Sequence, residues 1–424
     1  MQEERADIDL VVVGLGYVGL PLVAEAVRAG LAVVGLDIDA AKVAGLNAGR
    51  SHVDDLSDAD VAAIVESGFM ATTDPSCLGA AATVVVCVPT PLSTDTAPDL
   101  SAVRAAMGAI ASRLRAGQLV VLESTTYPGT TEEIVQPLLE EASGLVVGED
   151  FHLAFSPERI DPGNTEFTLR TTPKVVGGAT AGCAQAAAAF YRKVCDEVVV
   201  TKTSREAEMA KLLENTYRHI NIALVNEMAV FCDELGVDLW DAIAAAATKP
   251  FGFAAFYPGP GVGGHCIPID PNYLSYKVRT LGYPFRFVEL AQEVNNRMPA
   301  YVAQRVQRLL NEARKPVNGS RVLLLGVTYK PDIADERESP ARPLGKRLLE
   351  LGADLVFHDP YVTRWQVNGE AVERVADPVA AARAADLVVV VQPHAVYDLE
   401  AIADAAPLVL DTRGKLDRAG VERL

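Results

Sequence analysis

The chain has 424 residues, half of them apolar and 22% charged, with Lys+Arg 38 against Asp+Glu 56 and a formal charge of −18. At roughly 150 residues per domain, this length points to two or three domains with sizeable cores, and the composition excludes a disordered chain. The acidic balance argues against nucleic acid or an anionic membrane as the main partner, since both select a net basic surface. It leaves room for a small anionic ligand held by local cations.

Residues 1–9 are polar and acidic, without the basic start and long apolar stretch of a signal peptide. Apolar runs such as 387–391 are far shorter than the roughly 18 residues needed to span a bilayer. Six cysteines without paired spacing read as reduced thiols, not as a disulfide framework or a zinc site. The expectation is a cytoplasmic multidomain protein with no metal site.

Along the chain, short β-branched runs alternate with Ala-rich stretches. Residues 8–14, 32–37, 83–88, 119–123, 152–156, 174–178 and 198–202 read as strands, continuous in apolarity as strands buried on both faces are. The segments between them fit right-handed βαβ crossovers. Helix is expected over about 204–247 and 271–313, interrupted by a turn-rich stretch holding Lys249-Pro250-Phe251-Gly252 and Pro258-Gly259-Pro260-Gly261. Lys315-Pro316-Val317-Asn318-Gly319 reads as a boundary, after which the opening theme returns: 321–326, 352–359, 385–392 and 408–413 parallel the earlier strands. The predicted fold is two Rossmann-like doubly wound α/β domains joined by a central helical region, divided at 1–203, 204–314 and 315–424.

Gly14-Leu15-Gly16-Tyr17-Val18-Gly19 ends the first strand and opens a helix, and Asp37 ends the second strand. This is the dinucleotide fingerprint: Gly14 for the tight turn, Gly16 for close approach of the pyrophosphate, Gly19 for helix–strand packing. The helix N-terminus offers N–H groups and its dipole to the pyrophosphate. Asp37 would accept the adenine-ribose hydroxyls and repel a 2′-phosphate, which favours NAD over NADP. Val88-Pro89-Thr90-Pro91 should line the same crevice. Further on, Gly263-Gly264-His265-Cys266-Ile267-Pro268-Ile269-Asp270 sets a thiol among glycines just before a helix, where a thiolate is stabilised. A dinucleotide site with a reactive cysteine suggests oxidation of a carbonyl through a thioester.

These residues resemble the nucleotide-sugar 6-dehydrogenases. GLGYVGLPL at the first strand, VPTP at 88–91, ESTTYPGTT at 123–131, SPER at 156–159, KLLEN at 211–215, GGHCIPID at 263–270 and the stretch 326–340 follow that family's order over nearly the whole chain. The likeness is greatest to the bacterial UDP-N-acetylglucosamine 6-dehydrogenase type. The resemblance implies a four-electron oxidation of a UDP-sugar at carbon 6 with two NAD. It makes Cys266 the nucleophile and Lys211 and Asn215 the oxyanion and substrate contacts, which i, i+4 spacing puts on one helix face. It gives Asp270 a water used in proton transfer, Thr125 a water-positioning role and Glu158 the part of base in thioester hydrolysis. It adds Tyr17, Val18, Lys42, Pro89, Thr90 and Arg337 to the cofactor contacts, and Arg159, Tyr257, Gly259, Gly263, Lys330 and Arg413 to those of the substrate. His265, beside Cys266, is a weaker candidate base, because adjacent side chains often diverge.

Two departures bear on the sugar. UDP-glucose enzymes of this family usually carry a second glutamate where Pro162 stands and a lysine where Ile269 stands. Both departures favour a UDP-N-acetylhexosamine, UDP-N-acetylglucosamine first, with UDP-N-acetylmannosamine and UDP-glucose as alternatives. A single-step β-hydroxyacid dehydrogenase would need neither Cys266 nor a second α/β domain. The long Ala/Leu-rich helical middle implies a homodimer or higher homo-oligomer.

Overall fold

The computed structural model describes residues 8–53, 55–92, 97–160, 166–264 and 267–424. The chain divides into two compact units: residues up to Glu214 with Asn272–Tyr283, and Asn215–Pro271 with Pro284–Leu424.

In the first unit, β1 (Ile8–Val13), β2 (Val33–Leu36), β3 (Met70–Thr72), β4 (Ala81–Val86), β5 (Leu119–Leu122), β6 (His152–Phe155), β7 (Lys174–Gly178) and β8 (Val198–Val200) form one sheet. Its order is β3-β2-β1-β4-β5-β6-β7-β8. All pairings are parallel except β6 with β7. The apolar runs are continuous because alternate residues feed two cores. Leu10 and Val12 join Val85, Val121 and Ala154 on one face. Val11 and Val13 join Val84, Val86, Val120 and Leu122 on the other. Each such valine or leucine, fully buried, contributes about 1.5–3 kcal/mol.

The second unit holds β9 (Arg321–Leu325), β10 (Asp354–His358), β11 (Trp365–Val367), β12 (Glu370–Arg374), β13 (Leu387–Val390), β14 (Val409–Asp411) and β15 (Val421–Arg423). Their order is β11-β12-β10-β9-β13-β14-β15, parallel except for the β11–β12 hairpin. With that hairpin strand set aside, both sheets follow the 3-2-1-4-5-6 order of a doubly wound dinucleotide fold. The same alternation recurs: Val322 and Leu324 lie in one core, Leu323 and Leu325 in the other.

The central helices are broken more often than the sequence suggests. Ser204–Leu235 and Leu239–Ala247 are separated at Gly236, whose φ is +67°, and Asp238 caps the second by accepting from the Trp240 and Asp241 N–H groups. Asp270–Thr280 and Arg286–Glu312 are separated near Gly282 and Pro284. The expected 83–88 strand also ends earlier, at Val86.

Candidate active site

In the first unit, the β1 turn is built as the fingerprint requires. Gly14 has φ +91°, and a Cβ there would stand 2.7 Å from the Cys87 carbonyl oxygen. A Cβ on Gly19 would stand 1.9 Å from the Gly14 carbonyl oxygen, whereas one on Gly16 would enter open space. Tyr17 and Val18 lead into helix Gly19–Arg28, whose first turn has no side-chain cap; the Leu20 N–H donates to the Gly16 carbonyl at 3.0 Å, and the positive end of the helix dipole faces the turn. Asp37 accepts from the Leu15 N–H (2.9 Å), the Asp39 N–H (3.0 Å) and Lys42 Nζ (2.9 Å). Burial raises its pKa, but those donors outweigh it and the net shift is downward, so Asp37 is a carboxylate at neutral pH. These residues fit a dinucleotide: open space at Gly16, an uncapped helix terminus and an ionised acid at the end of β2. His52, which sequence reasoning missed, joins them through a 2.7 Å bond between Nε2 and the Leu15 carbonyl.

The loops after β4 and β5 are tied together. The Thr90 hydroxyl donates to the Thr125 carbonyl (2.8 Å), and the Ser124 hydroxyl to the Val88 carbonyl (2.7 Å). Pro89 is exposed. The glycine turn after Thr125 is anchored by buried Glu208, which accepts from the Gly129 and Thr131 N–H groups at 2.5 and 2.9 Å.

Glu158 follows β6 and is 8% exposed. Its Oε1 accepts from the Arg159 and Ile160 N–H groups, both at 2.6 Å, and its Oε2 lies 3.1 Å from Lys174 Nζ. Its carbonyl accepts from Lys211 Nζ at 2.5 Å, so one short loop positions both candidates. Arg159 is engaged by Glu214 (2.7 Å) and the Pro173 carbonyl (2.7 Å). Sequence reasoning missed Lys174, although a lysine opening an otherwise apolar strand was a visible signal.

In the second unit, buried Asn215 donates to Asp270 Oδ2 at 2.6 Å, and Asp270 begins helix Asp270–Thr280. The glycine-rich stretch after Tyr257 is shaped by close packing. Gly259 N–H donates to Asn226 Oδ1 (2.9 Å), and a Cβ on Gly259 would stand 2.9 Å from Arg413 Nη1. A Cβ on Gly263 would stand 2.7 Å from the Glu338 carbonyl oxygen and from Tyr329 Cβ. Tyr257 stacks on Trp240, ring centroids 5.5 Å apart and 12° from parallel. Asn226, also missed, is bound in turn to Asn295 at 2.9 Å. Arg413 gives its Nε–H to the Val391 carbonyl (2.9 Å), and desolvation pushes its pKa down to about 10 against the pull of Asp411. A guanidinium so placed gains from an incoming anion. Lys330 is half-buried, its carbonyl accepting from the Thr328 hydroxyl at 2.8 Å. Arg337 is held by Asp335, 2.9 Å from Nε and 2.6 Å from Nη2.

His265, Cys266 and Pro162 lie outside the described residues. Among the described residues, no cluster of His, Cys, Asp or Glu could hold a metal ion, and no helix is long and apolar enough to cross a membrane.

Three family models cover most of the chain: the NAD binding domain of the UDP-glucose/GDP-mannose dehydrogenase family over residues 8–195, its central domain over 205–297 and its UDP binding domain over 323–418. The chain belongs to the UDP-glucose/GDP-mannose dehydrogenase family. It is therefore an NAD-dependent UDP-sugar dehydrogenase, and the open turn at 14–19 lies within its NAD binding domain. The chain is 37% identical over 359 residues to UDP-N-acetyl-D-glucosamine 6-dehydrogenase of Pseudomonas aeruginosa, covering 84% of each chain. It is 37% identical over 415 residues to NDP-N-acetyl-D-galactosaminuronic acid dehydrogenase of Ralstonia solanacearum, covering 95% of each. The solved UDP-D-ManNAc dehydrogenase of Pyrococcus horikoshii superposes with a TM-score of 0.88 at 31% identity, covering 98% of this chain and 99% of that one.

Proposed function

We propose that this dehydrogenase oxidises carbon 6 of a UDP-N-acetylhexosamine, UDP-N-acetylglucosamine first, from alcohol to carboxylate. The supporting observation is that relatives spanning nearly the whole chain are named for 2-acetamido sugars of three configurations. Pro162 and Ile269, in place of the residues usual in UDP-glucose enzymes, agree with this. NAD, when bound, accepts a hydride from carbon 6 at each of two oxidations, so one sugar, two NAD and one water give one carboxylate, two NADH and three protons.

In this reading Lys211 stabilises the developing alkoxide electrostatically, and Asn215 with Asp270 orients the substrate and the water that carries a proton. Cys266 adds to the aldehyde and leaves as thiolate when water cleaves the thioester, with Thr125 holding that water and Glu158 beside it. Asp37, Lys42 and the 88–91 loop hold the dinucleotide on residues 1–203. Tyr257, Gly259, Gly263, Lys330 and Arg413 hold the UDP-sugar on residues 204–314 and 315–424. Arg159 and Arg337 orient neighbouring loops.

We also assign a cytoplasmic homodimer. On helix Ser204–Leu235, Tyr217, Leu224 and Phe231 are 50%, 54% and 44% exposed. Their seven-residue spacing puts them on one stripe, which a second copy would cover. Sedimentation showing only monomer at micromolar concentration would remove that assignment.

The deciding experiment is NADH formed per UDP-N-acetylglucosamine consumed, with NAD in excess. Two per sugar and a uronic acid product are expected. One per sugar would overturn the double oxidation, and none would move the substrate to UDP-N-acetylmannosamine. Cys266→Ser should lose turnover, whereas a single-step dehydrogenase would keep it.

A further inference from the structure

Beneath Glu158 lies a buried charged cluster that the reaction above does not use. Lys174, at the start of β7, has a side chain only 4% exposed. Its Nζ is 2.9 Å from Glu123 Oε1 and 3.1 Å from Glu158 Oε2. Glu123 is sealed further by the Tyr191 hydroxyl, which donates to Oε1, and by the Cys87 thiol, 3.6 Å from Oε2. One ammonium thus serves two carboxylates taken out of water. Lone buried charges are costly and such pairs persist only when their remaining sites are bonded.

The two carboxylates are bonded differently. Glu123 is fully enclosed, and burial pushes its pKa up despite Lys174, with the Glu158 charge adding to the rise. Burial also pushes Glu158 up, but Lys174, the Ile160 N–H and Lys211 outweigh that and bring it down. Two acids around one base with affinities pushed in opposite directions are held in unlike environments, the pattern that gives paired carboxyl groups different roles. A carboxylate has about four acceptor sites, and among the described residues Glu158 uses three.

We propose that Lys174 is the positioning residue of this site: its ammonium clamps Glu123 and Glu158 and fixes the Glu158 carboxylate with one acceptor site turned to the reacting water. Glu158 then acts as an oriented anion that holds that water. The groups facing Glu158 are Lys174 from β7, Lys211 from helix Ser204–Leu235 and Glu123 from the end of β5, with Tyr191, Cys87 and Cys195 behind them. The inference rests on the proposed function for its consequence in turnover, but not for the clamp itself.

The test uses the full chain. Lys174→Met alone strands two buried carboxylates and is expected to unfold the sheet. The informative variants are therefore Glu123→Gln, which leaves the ammonium to Glu158, and Glu123→Gln/Lys174→Met, which removes one acid and one base together. The first readout is the infrared carbonyl band of protonated Glu158, recognised by its loss on adding Glu158→Gln to each variant. The clamp requires that band to appear at a higher pH in the double variant than in Glu123→Gln; the same pH in both would overturn it. The second readout is the pH profile of kcat. The acid limb should move to higher pH in the double variant, with kcat about tenfold lower and KM for the sugar within about threefold. An unmoved limb in a folded double variant would show a merely structural role and defeat the proposal. If the wild type makes no NADH from any UDP-sugar, the proposed function fails while the infrared result still decides the clamp.

Discussion

In the first unit Gly14 follows β1 at φ +91°, its N–H bonded to the Leu36 carbonyl (2.8 Å), and the next N–H, of Leu15, donates to Asp37 at the end of β2 (2.9 Å). In the second, Gly326 follows β9 at φ +76°, bonded to the His358 carbonyl (2.9 Å), and the next N–H, of Val327, donates to Asp359 at the end of β10 (2.8 Å). The turns then part. After Gly14 come two more glycines and a helix at Gly19. After Gly326 comes Val-Thr-Tyr-Lys, and the next helix waits until Ala341. Asp37 uses three of its acceptor sites, one of them on the partly exposed Lys42. Asp359 is 0% exposed and uses all four, on the Val327, Tyr361 and Val362 N–H groups and His394 Nε2. The second unit thus keeps the strand–turn geometry of a dinucleotide fold but lacks the helix terminus directly after the turn and an acid with an acceptor site to spare. An anion must be held there by side-chain cations instead.

The sharpest way to break this comparison is to add a methyl to each turn. Gly14→Ala sets a Cβ 2.7 Å from the Cys87 carbonyl oxygen, and Gly326→Ala sets one 2.4 Å from that of Gln392. Both positions have positive φ, so each change should cost about 2 kcal/mol or more, read as a fall in Tm. Only Gly14→Ala should also abolish NAD binding by calorimetry. Loss of NAD binding in Gly326→Ala at full stability would show that the second turn serves the cofactor after all.

The acids give the next largest contrast. Asn has a single acceptor oxygen, so Asp359→Asn strands two of four donors and should cost about 2–4 kcal/mol while NAD affinity holds. Asp37→Asn strands one donor of three and should cost less, about 1–2 kcal/mol, while weakening NAD by about 10–100-fold, one charged hydrogen bond's worth. Acid sharpens the same point. Burial raises Asp359, but His394 and the Val327 N–H outweigh it and the net shift is downward. Its stabilisation is therefore fully present above the unfolded carboxyl pKa, about 3.9, and is lost as pH falls through the lower folded value. Hydrogen exchange at Val327 in the wild type should accelerate over that range, and in Asp359→Asn it should already be fast at neutral pH.

How far the sequence foretold this depends on where each signal lives. Strands such as Val84-Val85-Val86 are legible because burial on both faces demands unbroken apolarity. β3 is not, being three residues of which only Ala71 is buried. The β11–β12 hairpin was missed although Asn368 and Gly369, at φ +54° and +82°, form the Asn-Gly turn that favours hairpins. The mainly polar strand Glu370–Arg374 beside it carries no apolar run. The glycine fingerprint and Asp37 were legible because their spacing is local. The Glu123–Lys174–Glu158 cluster was not. It forms only when β5, β6 and β7 align, and no spacing along the chain announces a pairing that the sheet creates.

The smallest expected effect tests what holds the Asp37 carboxylate in place. Lys42 pairs with it at 2.9 Å but is 26% exposed, and such a pair is worth about 0.2–1 kcal/mol, less in salt. The two N–H bonds from Leu15 and Asp39 remain when the ammonium goes. Lys42→Met should therefore change NAD affinity by less than about fivefold and raise discrimination against NADP, since it leaves the Asp37 charge uncompensated where a 2′-phosphate would approach. Measured KM values for the two cofactors check both arms. A collapse of NAD binding would mean that Lys42, not the backbone, holds Asp37 in place, and the acid's orientation would then depend on a partly exposed cation.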